Sequence, residues 1–268
     1  MKIAKIIAAI LVIPILVAIG LTIFSGRQYA IYIVPPVVLL AALYMLSPQV
    51  EWWWAQKFPP KPNPNAVKYL NQYFDFFKQL NGPDKDKFLK RLGYFMMAKD
   101  FIPKVGKNVP TPLKVIIAAE GVRMTFGLED YLVNTHERIV IYPHPFPSPQ
   151  HKKMHHSETF HEDGVLIFAS APVIHQYQGE GNIFNITLYE WVSAFKYGSK
   201  MEFPEFTEED WHVFGVAFGM PKALVAASIG LPDFDQDIVA AVLYLTQKPL
   251  FRDLYPKQGE RFQSIFGQ

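Results

Sequence analysis

The fold class follows from two neighbouring stretches, Thr111-Pro-Leu-Lys-Val-Ile-Ile-Ala-Ala119 and Arg138-Ile-Val-Ile-Tyr142. The first predicts a helix, because proline at its start lacks the N–H that a first turn leaves unpaired. The second is short and rich in β-branched residues, which is typical of a buried strand, and Val165-Leu-Ile-Phe168 repeats the pattern. Helical spacing covers Asn185 to Tyr197 and most of the chain after Trp211. These patterns predict an α+β fold in which helices dominate.

Two uncharged runs precede this domain, residues 6–24 and 29–50. Each run reaches the roughly 20 apolar residues that a helix needs to cross a ~30 Å hydrocarbon core. The four residues between them form a short polar turn, and Trp52-Trp53-Trp54 follows the second run, as in an aromatic belt. We therefore predict a transmembrane hairpin within residues 1–57, with helices at about 6–24 and 29–48.

Two other interpretations of the first run stay open. A cleaved signal peptide is one, because Lys2 and Lys5 precede the apolar core, and a buried soluble hairpin is the other. No convincing small-x-small cleavage site lies before the second run, which favours the membrane hairpin. Lysines flank both ends of the hairpin against Arg27 alone in its turn, so the positive-inside rule predicts that the rest of the chain faces the cytoplasm.

The remaining chain is predicted to be a linker and one domain. Residues 58–65 are proline-rich and polar, which favours a stiff linker, and residues 66–268 have the size of one compact domain. The chain has 26 basic and 24 acidic residues, a net charge of +2, which argues against a nucleic-acid-binding surface. The absence of cysteine fits a cytosolic domain without deciding the compartment.

Five segments of this domain follow one another in a recognisable order. They are Phe95-Met-Met-Ala-Lys-Asp-Phe101, Pro112-Leu-Lys-Val-Ile-Ile-Ala-Ala119, Ile139-Val-Ile-Tyr-Pro143, Gly164-Val-Leu-Ile-Phe-Ala-Ser170 and Gly181-Asn182. Together they resemble the MtfA (Mlc titration factor A) family of zinc-dependent peptidases, over roughly Lys68 to Phe266. The resemblance implies a zincin-like fold for residues 66–268 and a bacterial inner-membrane protein once the hairpin is added.

The resemblance also implies where a zinc site would lie. In the family a His-Glu-x-x-His helix binds Zn²⁺, and a glutamate from a later helix is the third protein ligand. In this chain the equivalent motif is Tyr189-Glu190-Trp191-Val192-Ser193, and the later ligand position is Gln236. Only the glutamate of the motif is kept, although Asp235 and Asp237 flank the later position.

These replacements remove the chemistry of the site. A phenol with a pKa near ~10 stays protonated at neutral pH, and a serine hydroxyl is a poor zinc ligand beside imidazole. We therefore expect no metal ion, no other cofactor and no catalytic residue at Tyr189, Glu190, Ser193 or Gln236. We also expect Tyr189 and Trp191 to fill the former cavity.

A histidine-rich stretch offers a second metal hypothesis. It contains His144, His151, His155, His156 and His161, together with Glu158, Glu162 and Asp163. His151 and His155 have helical i, i+4 spacing, so with His161 they are alternative metal candidates. Four prolines precede the stretch and Lys152-Lys153 interrupts it, so a long exposed loop is the simpler interpretation.

Two classes of function remain. The favoured hypothesis is a membrane-tethered, catalytically inactive domain that binds a protein or peptide partner in a peptidase-like cleft. Since members of the family resemble proteins that bind a transcriptional repressor, a protein ligand is what the resemblance implies. The alternative is a membrane-bound zinc-dependent metallopeptidase with a non-standard ligand set that recruits the histidine-rich stretch. The apolar stretch Phe214–Gly230 is too short to span a membrane and is expected to be buried helix packing.

Overall fold

The computed structural model of the chain describes residues 3–60, 63–178 and 183–268. Lys61 and Pro62 of the predicted linker, and the family-like pair Gly181-Asn182, lie outside the described residues. The chain forms two compact units, Met1–Pro60 and Lys61–Gln268.

The smaller unit contains helices joined by short turns in its described part. It consists of α1 (Ile3–Ser25), a 3₁₀ helix (Arg27–Ile33), α2 (Val34–Met45) and α3 (Ser47–Lys57). The stretches Ile3–Ser25 and Arg27–Met45 are long and apolar enough to cross a membrane, with mean hydropathies of 3.0 and 1.6. Only 6% of each stretch is buried by protein, so its apolar surface is available to lipid. This confirms two N-terminal apolar helices.

The boundaries of the second apolar helix differ from the predicted 29–48. The stretch begins as a 3₁₀ helix, and α2 ends before Leu46, whose backbone is not helical. Pro35 and Pro36 lie in the first turn of α2, where proline removes no helical hydrogen bond. The three consecutive tryptophans lie on the separate helix α3.

The larger unit combines many helices with one small sheet. Its helices are α4 (Pro64–Tyr73), α5 (Asp75–Gln79), α6 (Gly82–Ala98), α7 (Thr111–Met124), α8 (Ser170–Gln178), α9 (Ile186–Ser199), α10 (Asp210–Phe218), α11 (Lys222–Ile229), α12 (Gln236–Thr246), α13 (Lys248–Leu254) and α14 (Pro256–Phe266). The predicted helix start at Thr111 is confirmed. The predicted helix-dominated α+β class is therefore confirmed.

The sheet has four strands in the order β1-β2-β4-β3. They are β1 (Asp100–Pro103), β2 (Arg138–Tyr142), β3 (Ser157–Phe160) and β4 (Val165–Ala169). β1, β2 and β4 are parallel neighbours, and β3 pairs antiparallel with β4 at the sheet edge. The two predicted strands, β2 and β4, are confirmed, whereas β1 and β3 were not predicted.

The histidine-rich stretch is not the exposed loop that its prolines indicated. Its end forms β3, and the residues before it close an isolated bridge between Phe146 and His155. His155 is fully buried and Glu158 is 6% exposed, so two of its polar side chains belong to the interior. The non-local pairing with β4 overrides the local preference for a loop, because ladder hydrogen bonds satisfy the backbone polar groups.

The core surrounds α7, which is buried along nearly its whole length. α7 contacts α6 and α9, and α9 also contacts α12 and β3. The fully buried Trp191 of α9 donates its indole N–H to the Ile117 carbonyl of α7 at 2.8 Å. Its ring also meets that of Phe95 edge-on, with 5.0 Å between the ring centroids. These contacts hold α9 at a defined position beside the sheet.

The stretch Phe214–Gly230 packs one face into the core, as expected, and leaves the other face exposed. α10 and α11 form a bent pair with an angle of 81° between them, and the pair is a third candidate span if it counts as one segment. Phe214 and Val225 are fully buried, whereas Val216 is 74% exposed.

Candidate functional site

The first turn of α9 is held by a buried polar cluster. The Asn185 side chain accepts a hydrogen bond from the Leu188 N–H at 2.8 Å, which caps the helix. Its amide donates to Glu120 of α7 at 2.6 Å, and the Tyr177 hydroxyl donates to the same carboxylate oxygen. The Arg123 guanidinium lies 3.6 Å from Glu120 and balances its charge. α9 therefore begins at a position defined by side chains from α7 and α8.

An open cleft of about 500 Å³ lies along α9. It is bounded by β3, α9, the α10–α11 pair and the segment that precedes α12. The four positions singled out from the sequence all line it, namely Tyr189, Glu190, Ser193 and Gln236. The tertiary structure thus brings the expected remnant positions together in one site.

The Tyr189 side chain joins α9 to the start of α12. Its hydroxyl accepts a hydrogen bond from the Asp235 backbone N–H at 3.1 Å. Burial, and next the charge of Glu190, raise the pKa of this phenol well above its usual value, so it stays neutral. The ring is 8% exposed and meets Phe184 edge-on, so it occupies space on the cleft floor.

Glu190 is a buried carboxyl group that faces the same cleft. It is 3% exposed and accepts a hydrogen bond from the Thr159 hydroxyl of β3 at 2.5 Å. Burial raises its pKa to about 7, a change that the Thr159 hydrogen bond opposes and the charge of Glu158 supports. The group therefore exchanges a proton near neutral pH.

Ser193 is the cleft end of a hydrogen-bonded chain. Its hydroxyl lies 3.3 Å from His161 Nε2, and His161 Nδ1 lies 3.3 Å from His136 Nε2. The chain ends at the Thr135 hydroxyl, 3.0 Å from His136 Nδ1. Burial lowers the pKa of both imidazoles, that of His136 to about 4, so both rings are neutral at pH 7. The Tyr197 ring stacks on His161, with 4.4 Å between the ring centroids.

The side chain at the expected third ligand position, Gln236, is hydrogen-bonded to another part of the chain. The Gln236 amide donates to the Thr207 carbonyl at 2.6 Å. Of the two flanking aspartates, Asp237 forms an ion pair with Lys196 at 2.5 Å, and Asp235 lines the cleft. If the third ligand position is shifted by one residue along the chain, it falls on Asp235 or Asp237. Because Asp237 is paired with Lys196, this shift adds at most one free carboxylate to the cleft.

The three alternative histidines do not converge on one point. His151 lines the cleft and lies 3.8 Å from Glu158, while the buried His155 bonds the other oxygen of Glu158 at 3.0 Å. His161 belongs to the separate chain that ends at Ser193. Chelation by His151 and His155 at i, i+4 spacing required this stretch to be helical, and the structure shows it as irregular up to the strand at Ser157.

The side chains at this site do not fit a zinc ion. Among residues 3–60, 63–178 and 183–268, no group of three or more His, Cys, Asp or Glu side chains is arranged to hold a metal ion. The two positions at which the resemblance places the imidazoles of the motif carry a neutral phenol and a hydroxyl, neither of which replaces imidazole as a zinc ligand. The hydroxyl of Tyr189 is moreover bonded to a backbone amide.

Sequence reasoning missed several residues of the site. Thr159 was hidden in a stretch interpreted as a loop, and His136 was not singled out because nothing near it in sequence suggested a partner. Trp211 and Lys222 reach the cleft through the bend between α10 and α11. The sequence signal that could have revealed Thr159 was the segment Ser157–Phe160, because its short length and flanking turns are compatible with an edge strand.

Comparison with known proteins identifies relatives at the level of a family. Residues 50–192, slightly more than half of the chain, match the family described as Glucose-regulated metallo-peptidase M90. The matched region runs through the sheet into α9 and contains Tyr189 and Glu190. A search of curated proteins found no match.

Proposed function

Because this chain belongs to the glucose-regulated metallo-peptidase M90 family, the MtfA family that its sequence resembles, we propose that it is a membrane-anchored member that binds a protein or peptide partner instead of cleaving one with zinc. The anchor is the pair of apolar helices in residues 3–45. The binding site is the cleft along α9.

One observation supports the proposed loss of zinc chemistry. The hydroxyl of Tyr189, at the first imidazole position, is hydrogen-bonded to the Asp235 backbone 46 residues later. A zinc site needs about three converging protein ligands and an open position for water, and here the first position links two structural elements instead. Without the ion, Glu190 has no metal-bound water to activate.

The shape of the cleft supports binding of an extended peptide. β3 is an edge strand, and Ser157, Glu158 and Thr159 line the cleft. An extended segment can add to such an edge through backbone hydrogen bonds, while pockets beside it select side chains. Trp211 and Phe234 provide apolar contact area on the opposite wall.

The lining also carries an excess of acidic groups. Its carboxylates come from Glu158, Glu190, Glu208, Asp233 and Asp235, against the cationic side chain of Lys222 and the imidazole of His151. Lys222 is itself paired with Glu208 at 2.6 Å. A partner segment with a positive charge complements this surface.

The proposed location is the inner membrane of a bacterium, with the larger unit in the cytoplasm. The flanking lysines at the two ends of the hairpin outnumber Arg27 in its turn, and positive charge favours the cytoplasmic side. A protease-protection assay on sealed inverted membrane vesicles tests this orientation. Digestion of the larger unit from outside such vesicles supports it, and protection contradicts it.

Zinc content is the first test of the proposal. The full chain, purified in detergent without a histidine tag, is dialysed against trace zinc and assayed by elemental mass spectrometry. We expect less than about a tenth of an equivalent, because the donor set lacks converging imidazoles. The alternative metallopeptidase is favoured by His151, which lines the cleft, and by His161, whose ring bonds Ser193 there. One equivalent of zinc that is lost in His151→Ala would establish that alternative and overturn our proposal.

Partner binding is tested by site-specific photo-crosslinking in intact membranes. A benzophenone amino acid replaces Phe234 in the cleft, and a matched variant carries it at Val105, which is 69% exposed outside the cleft. We expect a discrete adduct from position 234 alone. Identical adducts from both positions would reject the cleft as the binding site.

A further inference from the structure

The bent helix pair α10–α11 presents an apolar surface that no described part of the protein covers. Its inner side chains, including Phe214 and Val225, are buried. Its outer surface includes Val216, which is 74% exposed, together with the exposed Ala217, Ala223 and Ala227. We call these four residues the outer face.

The outer face has the composition of a surface that meets lipid. From Val213 to Pro221 the chain contains no charged side chain. The two helices together are as apolar as a membrane span, but their 81° bend shortens their reach. A helix that presents an apolar face beside a polar one can lie in the interface of a bilayer, with the apolar face buried to a depth of about 5–10 Å.

The chain also limits the distance of this unit from a bilayer. Six residues separate the end of α3 at Lys57 from the start of α4 at Pro64. Even fully extended, a segment of this length spans only about 25 Å. Together with the 11-residue helix α3, at about 1.5 Å per residue, this segment keeps the start of the larger unit within roughly 42 Å of the end of the second apolar stretch, so a lipid surface is within reach of the larger unit.

From these observations we propose that the outer face of α10–α11 docks into the interfacial region of the same bilayer that holds the N-terminal helices. The ligand is a lipid surface and not a second protein chain. The proposal uses the anchor but is independent of the loss of zinc chemistry.

Docking would also define the position of the cleft. Trp211 of α10, and Lys222 and Ile229 of α11, form one wall of the cleft from the same two helices. If one wall of the cleft lies in the membrane interface, the cleft can bind peptide segments that lie close to the membrane. The favoured ligand is then the juxtamembrane segment of another membrane protein.

The absence of native cysteine allows a direct test on the full chain. Val216→Cys is labelled with bimane and reconstituted into phosphatidylcholine–phosphatidylglycerol vesicles that contain lipid with a shallow doxyl quencher. Val105→Cys is the matched control, because it is also an exposed valine of the larger unit. Flotation of the vesicles verifies the anchor separately from the docking.

We expect bimane at position 216 to be quenched at least about twofold more than bimane at position 105, because the doxyl group acts only at lipid depth. Ala217→Asp, added to the Val216→Cys variant, should abolish this difference by placing a charge on the outer face. Equal quenching at both positions in floated vesicles overturns the proposal. So does shielding of position 216 from aqueous iodide without doxyl quenching, which would indicate contact with protein.

Discussion

The Tyr189 hydroxyl accepts a hydrogen bond from the Asp235 backbone N–H at 3.1 Å and so connects α9 with the start of α12. In a zinc peptidase of this type, an ion bound by both helices would make this connection. Here a neutral phenol makes it, supported by the contact of its ring with Phe184. In our proposal, a packed and hydrogen-bonded junction therefore stands where the metal site of the family would lie.

Removal of this hydroxyl should weaken the junction. We expect Tyr189→Phe to lower the free energy of unfolding by about 1 kcal/mol, because the Asp235 N–H loses its acceptor while the ring keeps its packing. The measurement is chemical unfolding of the detergent-solubilised chain, followed by tryptophan fluorescence. Tyr197→Phe, an exposed residue on the same helix, is the control. Equal stability of the two variants would show that the hydrogen bond contributes nothing.

Restoration of the family motif should restore zinc binding. The triple variant Tyr189→His, Ser193→His, Gln236→Glu places two imidazoles at i and i+4 on α9 and a carboxylate at the start of α12. We expect it to retain close to one equivalent of zinc after dialysis, about tenfold more than the parent chain. The same variant with Ser193→Ala is the control that lacks the second imidazole. If the triple variant stays metal-free, these are not the ligand positions.

The raised pKa of Glu190 predicts a pH-dependent effect of its replacement. The folded carboxyl has a pKa of about 7 against an ordinary value of 4.5, so the folded state holds a proton that the unfolded state has lost. The associated stability is present below pH ~4.5 and disappears as the pH rises through ~7. Above pH 7 the folded chain contains a buried charge.

Glu190→Gln cannot ionise, and its amide oxygen can still accept from Thr159. We expect it to be more stable than the parent chain by about 1–3 kcal/mol at pH 8, with the difference vanishing near pH 5. Unfolding at both pH values measures this, with the exposed Glu205→Gln as the control. A difference independent of pH would show that ionisation of Glu190 is not its cause.

The lowered pKa of His136 predicts that stability decreases as the pH falls, whereas the raised pKa of Glu190 makes stability decrease as the pH rises. The buried imidazole has a pKa of about 4 in the folded chain against an ordinary 6.5, so the unfolded chain takes up a proton first as the pH falls. Stability therefore decreases between pH ~6.5 and ~4, by up to about 1.4 kcal/mol per pH unit.

His136→Gln should flatten this decline, whatever its effect on stability at pH 7. The slope of the unfolding free energy against pH is the quantity to measure, with the exposed His144→Gln as the comparison. If the slope in His136→Gln equals that of the parent chain, the decline in stability is not caused by His136.

Local signals in the sequence predicted the elements that depend on local physics. The start of α7 at Thr111 and the strands β2 and β4 were correctly predicted. The start of α4 depends on equally local signals, because the Asn63 side chain accepts a capping hydrogen bond from the Asn65 N–H and Pro64 lies in the first turn.

β3 escaped prediction because its stability is not local. Ser157-Glu-Thr-Phe160 contains three polar residues and one apolar residue, so it lacks the apolar alternation that indicates a strand. It forms a strand because β4 supplies partners for its backbone groups. The error affected the site directly, since β3 contributes Thr159 and places Glu158 beside His151 and His155.

The sequence by itself determined the two apolar N-terminal helices, the helix-dominated α+β class and the family resemblance, and it predicted that tyrosine and serine replace the two imidazoles of the metal motif. These depend on composition, periodicity and residue identity, all of which are local. Only the tertiary structure decided that Tyr189 bonds Asp235, that Ser193 meets His161 32 residues away, and that α10–α11 keeps an apolar face exposed. Such contacts join distant segments, and packing against the sheet and α7 selects them among many arrangements that the local pattern allows.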